Sequence, residues 1–469
     1  MNPSTSLFFD QHIRTQLNTL KGGLYGLLLG DAVGRPYEFK VAKELPAYED
    51  IDIEPPVGFN PTYAQVPIGT WTDDGAQALA LLDSLNQKNG LQLPDFADKL
   101  CNWLYRGDYT PDGTVFDCGN QTHSALMRIS QGVPVAQAAQ NDEFANGNGA
   151  LMRALPLALW HQGSDAELIQ LAIQQGLPTH GHPRSGVVCA LYCLMARRLI
   201  QQRRHYQPDF VIGELRPHLS PAENNELDTL LKAPERNNPQ GTGYVVDTFW
   251  SALQAMESDN YRDVIRRAIA LGNDTDTTAC VAGGLAGLRF GYDHLPKDWL
   301  IRLQGRDLVE RLFSPLERRI KANLCEEITL LAGFKVFAGE YRSGILNNTA
   351  MREGLTNIVA TTLRPFWSNR LYSDYSPQNC DSISLSTTAQ LEQITAFLTF
   401  INRCDHFTTG PIYFSGALDF TDGSLTVESS NPALDTAWHD VIVSGLFEIA
   451  LDKLVAELAL ESNPLKEPD

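Results

Sequence analysis

The sequence predicts an all-α protein carrying a small second domain, and three observations lead to that expectation. From about Thr15 to about Arg319, apolar residues recur at helical rather than alternating spacing. The chain has 469 residues, more than one hydrophobic core usually serves. After about Leu331 the periodicity weakens, and residues 341 to 390 become rich in Ser, Asn, Thr and Tyr, with Pro365 and Pro377 among them.

Helices are expected over Ala76 to Leu85, Ala150 to Trp160 and Asp165 to Gln175. Another surrounds Val187, Leu191, Leu194 and Met195 and closes on Arg197 and Arg198, whose charge suits a helix C-terminus. Two more run over Tyr244 to Met256 and Tyr261 to Leu271, after a polar stretch, Lys232 to Gly243 (KAPERNNPQGTG), that reads as a mobile loop. The expected organisation is a helical domain over 1–335, a junction over 336–390 and an accessory domain, α or α+β, over 391–469. In that last part helical spacing returns at Leu391 to Ile401 and at Ile442, Leu446 and Ile449, around a partly β-like GPIYFSGALDFTDGSLTV. Residues 462–469 read as a frayed tail.

Composition narrows the function. A net charge of −19 argues against a sequence-independent grip on nucleic acid, which needs a basic surface. Eight cysteines without a CxxC pair read as reduced, structural thiols and suggest a cytoplasmic setting. The opening MNPSTSLFFDQHIRTQ lacks a basic-then-apolar leader, and no apolar run approaches the ~18 residues of a spanning helix, so no membrane partner is expected.

The chemistry concentrates in six stretches. In LGNDTDTTACVAGGLAG (271–287), Asp274, Asp276 and Thr277 bracket a helix start ahead of small residues that can pack closely. One cap needs one oxygen, so two carboxylates and a hydroxyl there are surplus negative charge. GTWTDDGAQALALLDSL (69–85) repeats the pattern with Thr72, Asp73 and Asp74. Each alone reads as a capped helix. Together, if they meet, they would repel unless divalent cations intervene, and oxygen-only ligands suit Mg2+ or Mn2+ rather than zinc.

The remaining four are less specific. In LLLGDAVGRPYEF (27–39), Gly30 and Gly34 flank Asp31 and allow the chain to leave a helix, which places Glu38 on a loop where carboxylates are usually solvated. TVFDCGNQTHSALM (114–127) sets Asp117 and Asn120 at a helix entry, where capping is the plain reading. In FANGNGALMRALPLAL (144–159), Gly147, Asn148 and Gly149 precede a helix and offer backbone N–H groups to an anion such as a diphosphate. His180 and His182 in LPTHGHPRSG lie two apart and share no helix face.

In this order, GDAVGRPYEF, GTWTDDGAQALAL, FDCGNQT, GNGALMRALPLAL, THGHP and GNDTDTTACVAGGLAG resemble the ADP-ribosylglycohydrolase family, and within it the bacterial dinitrogenase reductase-activating glycohydrolase branch, over roughly residues 20–325. The resemblance implies an orthogonal all-α bundle and two Mg2+ or Mn2+ ions held by Thr72, Asp73, Asp74, Asp274, Asp276 and Thr277. It implies removal of ADP-ribose from a modified side chain, with ADP-ribosyl-arginine on protein as the leading substrate. Glu38 matches the family's glutamate, and Asp117 with Asn120 matches the DxGN pattern of the arginine-directed branch. Gly147, Asn148, Gly149 and His180 match positions that embrace ADP-ribose.

Asn273 stands where the family often has glycine, which puts that turn in question. At the C-terminus, NRCDHFTTG…SGLFEIALDKL resembles a small bacterial domain with an Arg-x-x-x-Phe-x-x-Gly signature. Two competing readings share these residues: a binding protein that blocks an ADP-ribosylating toxin by contact, and a hydrolase of a free ADP-ribose conjugate or of ADP-ribosylated nucleic acid.

Overall fold

The computed structural model describes residues 3–201 and 207–321, together with strand segments at 380–390, 393–402, 412–419 and 425–429. The chain divides into two compact units. One is built from Asp10–His161 and Leu168–Ile320, and the other takes in Met1–Phe9, Gln162–Glu167 and Lys321–Asp469.

The first unit is helical throughout its described residues. In chain order its elements are α1 (Pro3–Gly34), α2 (Asp73–Lys88), α3 (Leu93–Arg106), α4 (Asn120–Ser130), α5 (Val135–Ala138), α6 (Leu155–Trp160), α7 (Asp165–Gly176) and α8 (Pro183–Ile200). There follow α9 (Pro208–Leu215), α10 (Pro221–Lys232), α11 (Val245–Ala255), α12 (Tyr261–Ala270), α13 (Thr275–Phe290) and α14 (Lys297–Arg302), with helical residues again from 306 to 321.

Helix α13 is buried almost from end to end, and its small residues explain how. A Cβ on Gly22, Gly26, Gly30 or Gly34 of α1 would strike the backbone at Gly287, Gly283, Ala279 or Thr275–Asp276 of α13. Both series advance four residues at a time, so the two antiparallel helices meet along one seam of small residues. The tight approach carries its own hydrogen bonds. The Tyr261 hydroxyl donates to the Gly26 carbonyl at 2.6 Å, and the Thr275 hydroxyl donates to the Gly34 carbonyl at 2.8 Å. Gly30 therefore sits inside α1 and serves packing, while Gly34 both packs against α13 and ends α1, where the sequence suggested a helix exit.

Other departures have local causes. The helix expected from Ala150 starts at Leu155, because Pro156 has no N–H for the Met152 carbonyl; the Cys280 thiol donates to that carbonyl instead, at 3.6 Å. The 232–243 loop is pinned in its second half. Asp247 accepts from the N–H groups of Gln240 and Thr242 at 2.8 and 2.6 Å, and the Ser251 hydroxyl accepts from that of Gly241. Asn273, where glycine is common, adopts φ +61° and so takes the left-handed backbone a glycine would supply.

In the second unit an antiparallel sheet runs in the order β1 (Cys380–Gln390), β2 (Gln393–Asn402), β3 (Ile412–Asp419), β4 (Leu425–Ser429), with Leu385 opposite Leu398 and Phe400 opposite Phe414. The helical spacing read over Leu391 to Ile401 is thus overturned. ITAFLTFI is dense in β-branched and aromatic residues, which favour a pleated surface. The β-like segment forms β3 and β4, and β1 falls in the last residues of the expected junction. The Arg403–Gly410 signature and the helix around Ile442 to Ile449 lie outside the described residues.

No helix of the described residues is long and apolar enough to cross a membrane. Five cysteines among them are free thiols.

Candidate active site

Two helix starts, α2 and α13, and the end of α1 bring the carboxylates together. Asp31, Asp74 and Asp276 offer oxygens within 4.8 Å of one another, and so do Glu38, Asp274 and Asp276. Asp276 belongs to both groups, which makes it the centre of the site. Either group could hold a metal ion.

Capping does not explain these residues equally. Thr72 is a true N-cap whose hydroxyl accepts from the Asp74 N–H at 3.3 Å. Asp31 reinforces it, accepting from the N–H groups of Thr72 (2.9 Å) and Gly75 (2.8 Å). Asp274, at the cap position of α13, makes no side-chain cap bond; its carboxylate accepts instead from the Asn148 amide at 2.8 Å. The Thr277 hydroxyl donates to Asp74 at 3.2 Å and links the two helix starts. Of the sequence candidates, Asp74, Asp274, Asp276, Thr72 and Thr277 therefore converge. Asp73 belongs to neither group of three: it accepts from Gln77 at 3.2 Å, and after burial the neighbouring charge that raises it most is Asp117, followed by Asp31.

Glu38, expected on a solvated loop, is 5% exposed. Burial first, then the charges of Asp117, Asp274 and Asp73, push its carboxyl up to about 10. Burial likewise raises Asp31 to about 7 against the lowering effect of its backbone donors, and holds Asp73, Asp74 and Asp276 well above the usual carboxylate range. One oxygen each of Asp74 and Glu38 is buried with no hydrogen-bond partner. Buried, mutually repelling carboxylates with unpartnered oxygens are what a bound divalent cation would satisfy, so the residues present fit one. The guanidinium of Arg35 lies close to Asp31, Asp276 and Glu38, but its hydrogen bonds go to the carbonyls of Tyr63, Val66 and Pro67.

Asp117 is half-buried, and burial raises its pKa against the lowering influence of the nearby Tyr63 hydroxyl and Cys118 N–H. Asn120, three residues on at the start of α4, is exposed.

The glycine loop differs from its expected form. The Gly147 N–H donates to Gln121 (3.3 Å) and the Asn148 N–H to the Gly243 carbonyl (3.1 Å), so two of its three N–H groups are already engaged. Its glycines serve close packing: a Cβ on Gly149 would lie 2.7 Å from the His180 ring. His180 is buried beneath the loop, its Nδ1 2.8 Å from the Thr179 hydroxyl, and burial lowers it to about 3, which keeps the ring neutral. His182 caps α8, accepting from the Arg184 N–H.

Behind both halves lies Arg153, fully buried and hydrogen-bonded to neutral groups. It donates to Gln77 (2.7 Å), to the side chain and carbonyl of Gln175 (3.3 and 3.2 Å) and to Thr179 (2.7 Å). One guanidinium thus reaches Asp73 through Gln77 and His180 through Thr179. The sequence reading missed Asp31 as a cluster member, Tyr63, Gln121 and Arg153. Gly-Asp in GDAVG was the one local signal for Asp31.

The family model for ADP-ribosylglycohydrolase matches residues 13–327. The chain belongs to the ADP-ribosylglycohydrolase family. The class is enzymatic, and its hydrolases cleave N-glycosidic bonds. Among relatives, the ADP-ribosylarginine hydrolase Tri1 of Serratia proteamaculans is 30% identical over 307 residues, 64% of this chain and 79% of that one. The ADP-ribosyl-[dinitrogen reductase] glycohydrolase of Rhodospirillum rubrum is 29% identical over 296 residues, covering 60% of this chain and 89% of that one. A solved structure described as an ADP-ribosylglycohydrolase-related protein complex aligns with a TM-score of 0.51 and 30% identity, over 65% of this chain and 98% of that one. The all-α bundle read from sequence is the fold of this family.

Proposed function

We propose that this chain hydrolyses the bond between ADP-ribose and an arginine side chain of a protein, with two divalent cations, Mg2+ or Mn2+. The observation that supports the reading is the meeting of two carboxylate groups on Asp276, with unpartnered oxygens on Asp74 and Glu38. Thr72, Asp73, Asp74, Asp274, Asp276 and Thr277 would hold the cations, and Asp31 joins them. Cations bound there supply neutralising charge, orientation for ribose hydroxyls and a water of lowered pKa.

The chain's own groups account for the rest. Cleavage at the anomeric carbon passes through an oxocarbenium-like state in which the C–N bond breaks before water adds. Glu38, kept in its protonated form by burial, can give its proton to the departing guanidine nitrogen and then take one from the incoming water. Asp117 faces the guanidinium as a carboxylate partner, with Asn120 beside it. Gly147, Gly149 and the neutral His180 would line the place of the ADP-ribose diphosphate, while Asn148 holds Asp274 in place.

The activities of the relatives, an ADP-ribosylarginine hydrolase and an ADP-ribosyl-[dinitrogen reductase] glycohydrolase, support an ADP-ribosylated protein as partner. The test is release of ADP-ribose from arginine-, serine- and nucleic-acid-linked substrates side by side, with and without Mg2+ or Mn2+. Release from arginine only with the cation is expected. Turnover of the serine or nucleic-acid linkage alone, or undiminished activity in EDTA, would overturn the reading.

A further inference from the structure

We infer that Tyr63, flanked by the rings of Phe39 and Phe116, selects a planar guanidinium as the leaving group. The inference deepens the arginine-linked reading above and rests on it. Tyr63 and Phe39 both occupy left-handed backbone, with φ +53° and +61°, a region that disfavours bulky side chains and tends to be kept at functional sites.

The surroundings hold both residues there. The Phe39 N–H donates to the Asn273 carbonyl at 2.7 Å, Arg35 donates to the Tyr63 carbonyl at 3.1 Å, and the Thr62 hydroxyl donates to the Glu38 carbonyl at 2.6 Å. The Tyr63 ring lies edge-on to Phe116 at 5.1 Å and to Phe39 at 6.4 Å between centroids. Phe39 is two-thirds exposed. Each flanking ring is the chain neighbour of a carboxylate of the site, Glu38 beside Phe39 and Asp117 beside Phe116, and the Tyr63 hydroxyl lies near Asp117 itself.

Aromatic planes next to anionic groups fit a flat, delocalised and weakly hydrated cation. A guanidinium can stack on the ring and pair with Asp117 together. A serine hydroxyl gains neither contact, and a compact, strongly hydrated ammonium gains less of the first.

The experiment compares the full-length parent with Tyr63→Leu and Tyr63→Phe on arginine-linked and serine-linked ADP-ribose. Tyr63→Leu is expected to raise KM for the arginine linkage about tenfold, with any serine-linked activity and ADP-ribose affinity within about twofold. Tyr63→Phe, which keeps the ring and loses the hydroxyl beside Asp117, should fall between leucine and the parent. A second arm uses the parent alone: agmatine, a guanidinium, should inhibit competitively about tenfold better than putrescine, an ammonium of similar length.

Equal losses on both linkages, or agmatine no better than putrescine, would overturn the assignment. A parent inactive on the arginine linkage would defeat the earlier reading instead. The agmatine arm, run on whichever linkage the parent cleaves, would then decide this one.

Discussion

Replacing Gly283 by alanine should be among the most damaging single-methyl changes in the helical unit. In an exposed helix interior the same substitution would help, since alanine exceeds glycine by ~1 kcal/mol in helix propensity. Here the added Cβ is driven into the carbonyl oxygen of Gly26 and lies 2.9 Å from the Tyr261 hydroxyl. Both obstacles are buried, and the first is backbone in the middle of α1, which no rotamer change can move aside.

Overpacking of this kind costs roughly 1–3 kcal/mol. Displacing the Tyr261 hydroxyl from the Gly26 carbonyl removes a buried hydrogen bond worth about 1 kcal/mol more. The balance is a net loss of about 1–3 kcal/mol, which for a body of this size lowers Tm by roughly 2–5 °C.

Gly213 in α9 supplies the internal control, because a Cβ there meets nothing within 4 Å. Gly213→Ala should raise stability by about 0.5–1 kcal/mol. Thermal unfolding of the two variants beside the parent, at one fixed cation concentration, reads both signs. If Gly283→Ala melts at or above the parent while Gly213→Ala behaves as stated, the seam between α1 and α13 is not tight and the account of how Asp31 and Asp276 are brought together fails.

Further outcomes follow from the site. Asp276→Asn should reduce hydrolysis by more than the ~100-fold that loss of a supporting group around a metal can cost, and should raise Tm in EDTA by relieving like-charge repulsion; unchanged turnover would remove Asp276 from the centre. In EDTA the parent's Tm should fall as pH rises from 5 to 9. Asp31 and Glu38, raised to about 7 and about 10, hold protons in the folded state that the unfolded chain has released, so unfolding gains favour until those values are passed. Saturating Mn2+ should flatten that slope, and a flat profile without cation would refute the repulsion argument. Arg153→Met should lower Tm, because Gln77, Gln175 and Thr179 each lose a buried donor. It should also weaken Mn2+ binding about tenfold in calorimetry by releasing Gln77 from its place beside Asp73; unaltered Mn2+ affinity would reduce Arg153 to a packing role.

Much of the site was legible because its chemistry is locally dense. Two carboxylates and a threonine at one helix start exceed what capping needs, and both such starts, at Thr72 and at Asp274, meet in the fold. What stayed hidden depends on partners far along the chain. Asp31 lies within an apolar helix, and its donors are 41 and 44 residues away. Arg153 reads as the basic residue of an amphipathic helix until Gln77, 76 residues earlier, closes on it. Gly30 and Gly34 have turn chemistry locally, yet are used for contact with a helix some 240 residues later. The glycine loop offered three N–H groups on paper, and only tertiary structure reveals that Gln121 and Gly243 take two of them. In the C-terminal part, apolar spacing outweighed residue type in the reading of Leu391 to Ile401, while the β-branched and aromatic content decided the strand.

The division of labour among the acids explains how the fold tolerates them. Thr72 and Asp31 do the capping at α2, so Asp74 is left with an unpartnered oxygen; at α13 Asp274 gives up its cap bond and is steadied by Asn148. Each choice sacrifices local stability to aim a carboxylate at Asp276. The loss is offset outside the cluster, by the α1–α13 seam beneath it and by the neutral hydrogen bonds of Arg153 behind it, neither of which depends on the charge state of the acids. A scaffold of that kind can keep its shape with the cluster protonated or cation-bound, and it is the ionised, cation-free form that carries the repulsion. On the proposed reading, a cation bound there would stabilise the folded chain by mass action, and the repulsion it relieved would be part of what sets its affinity.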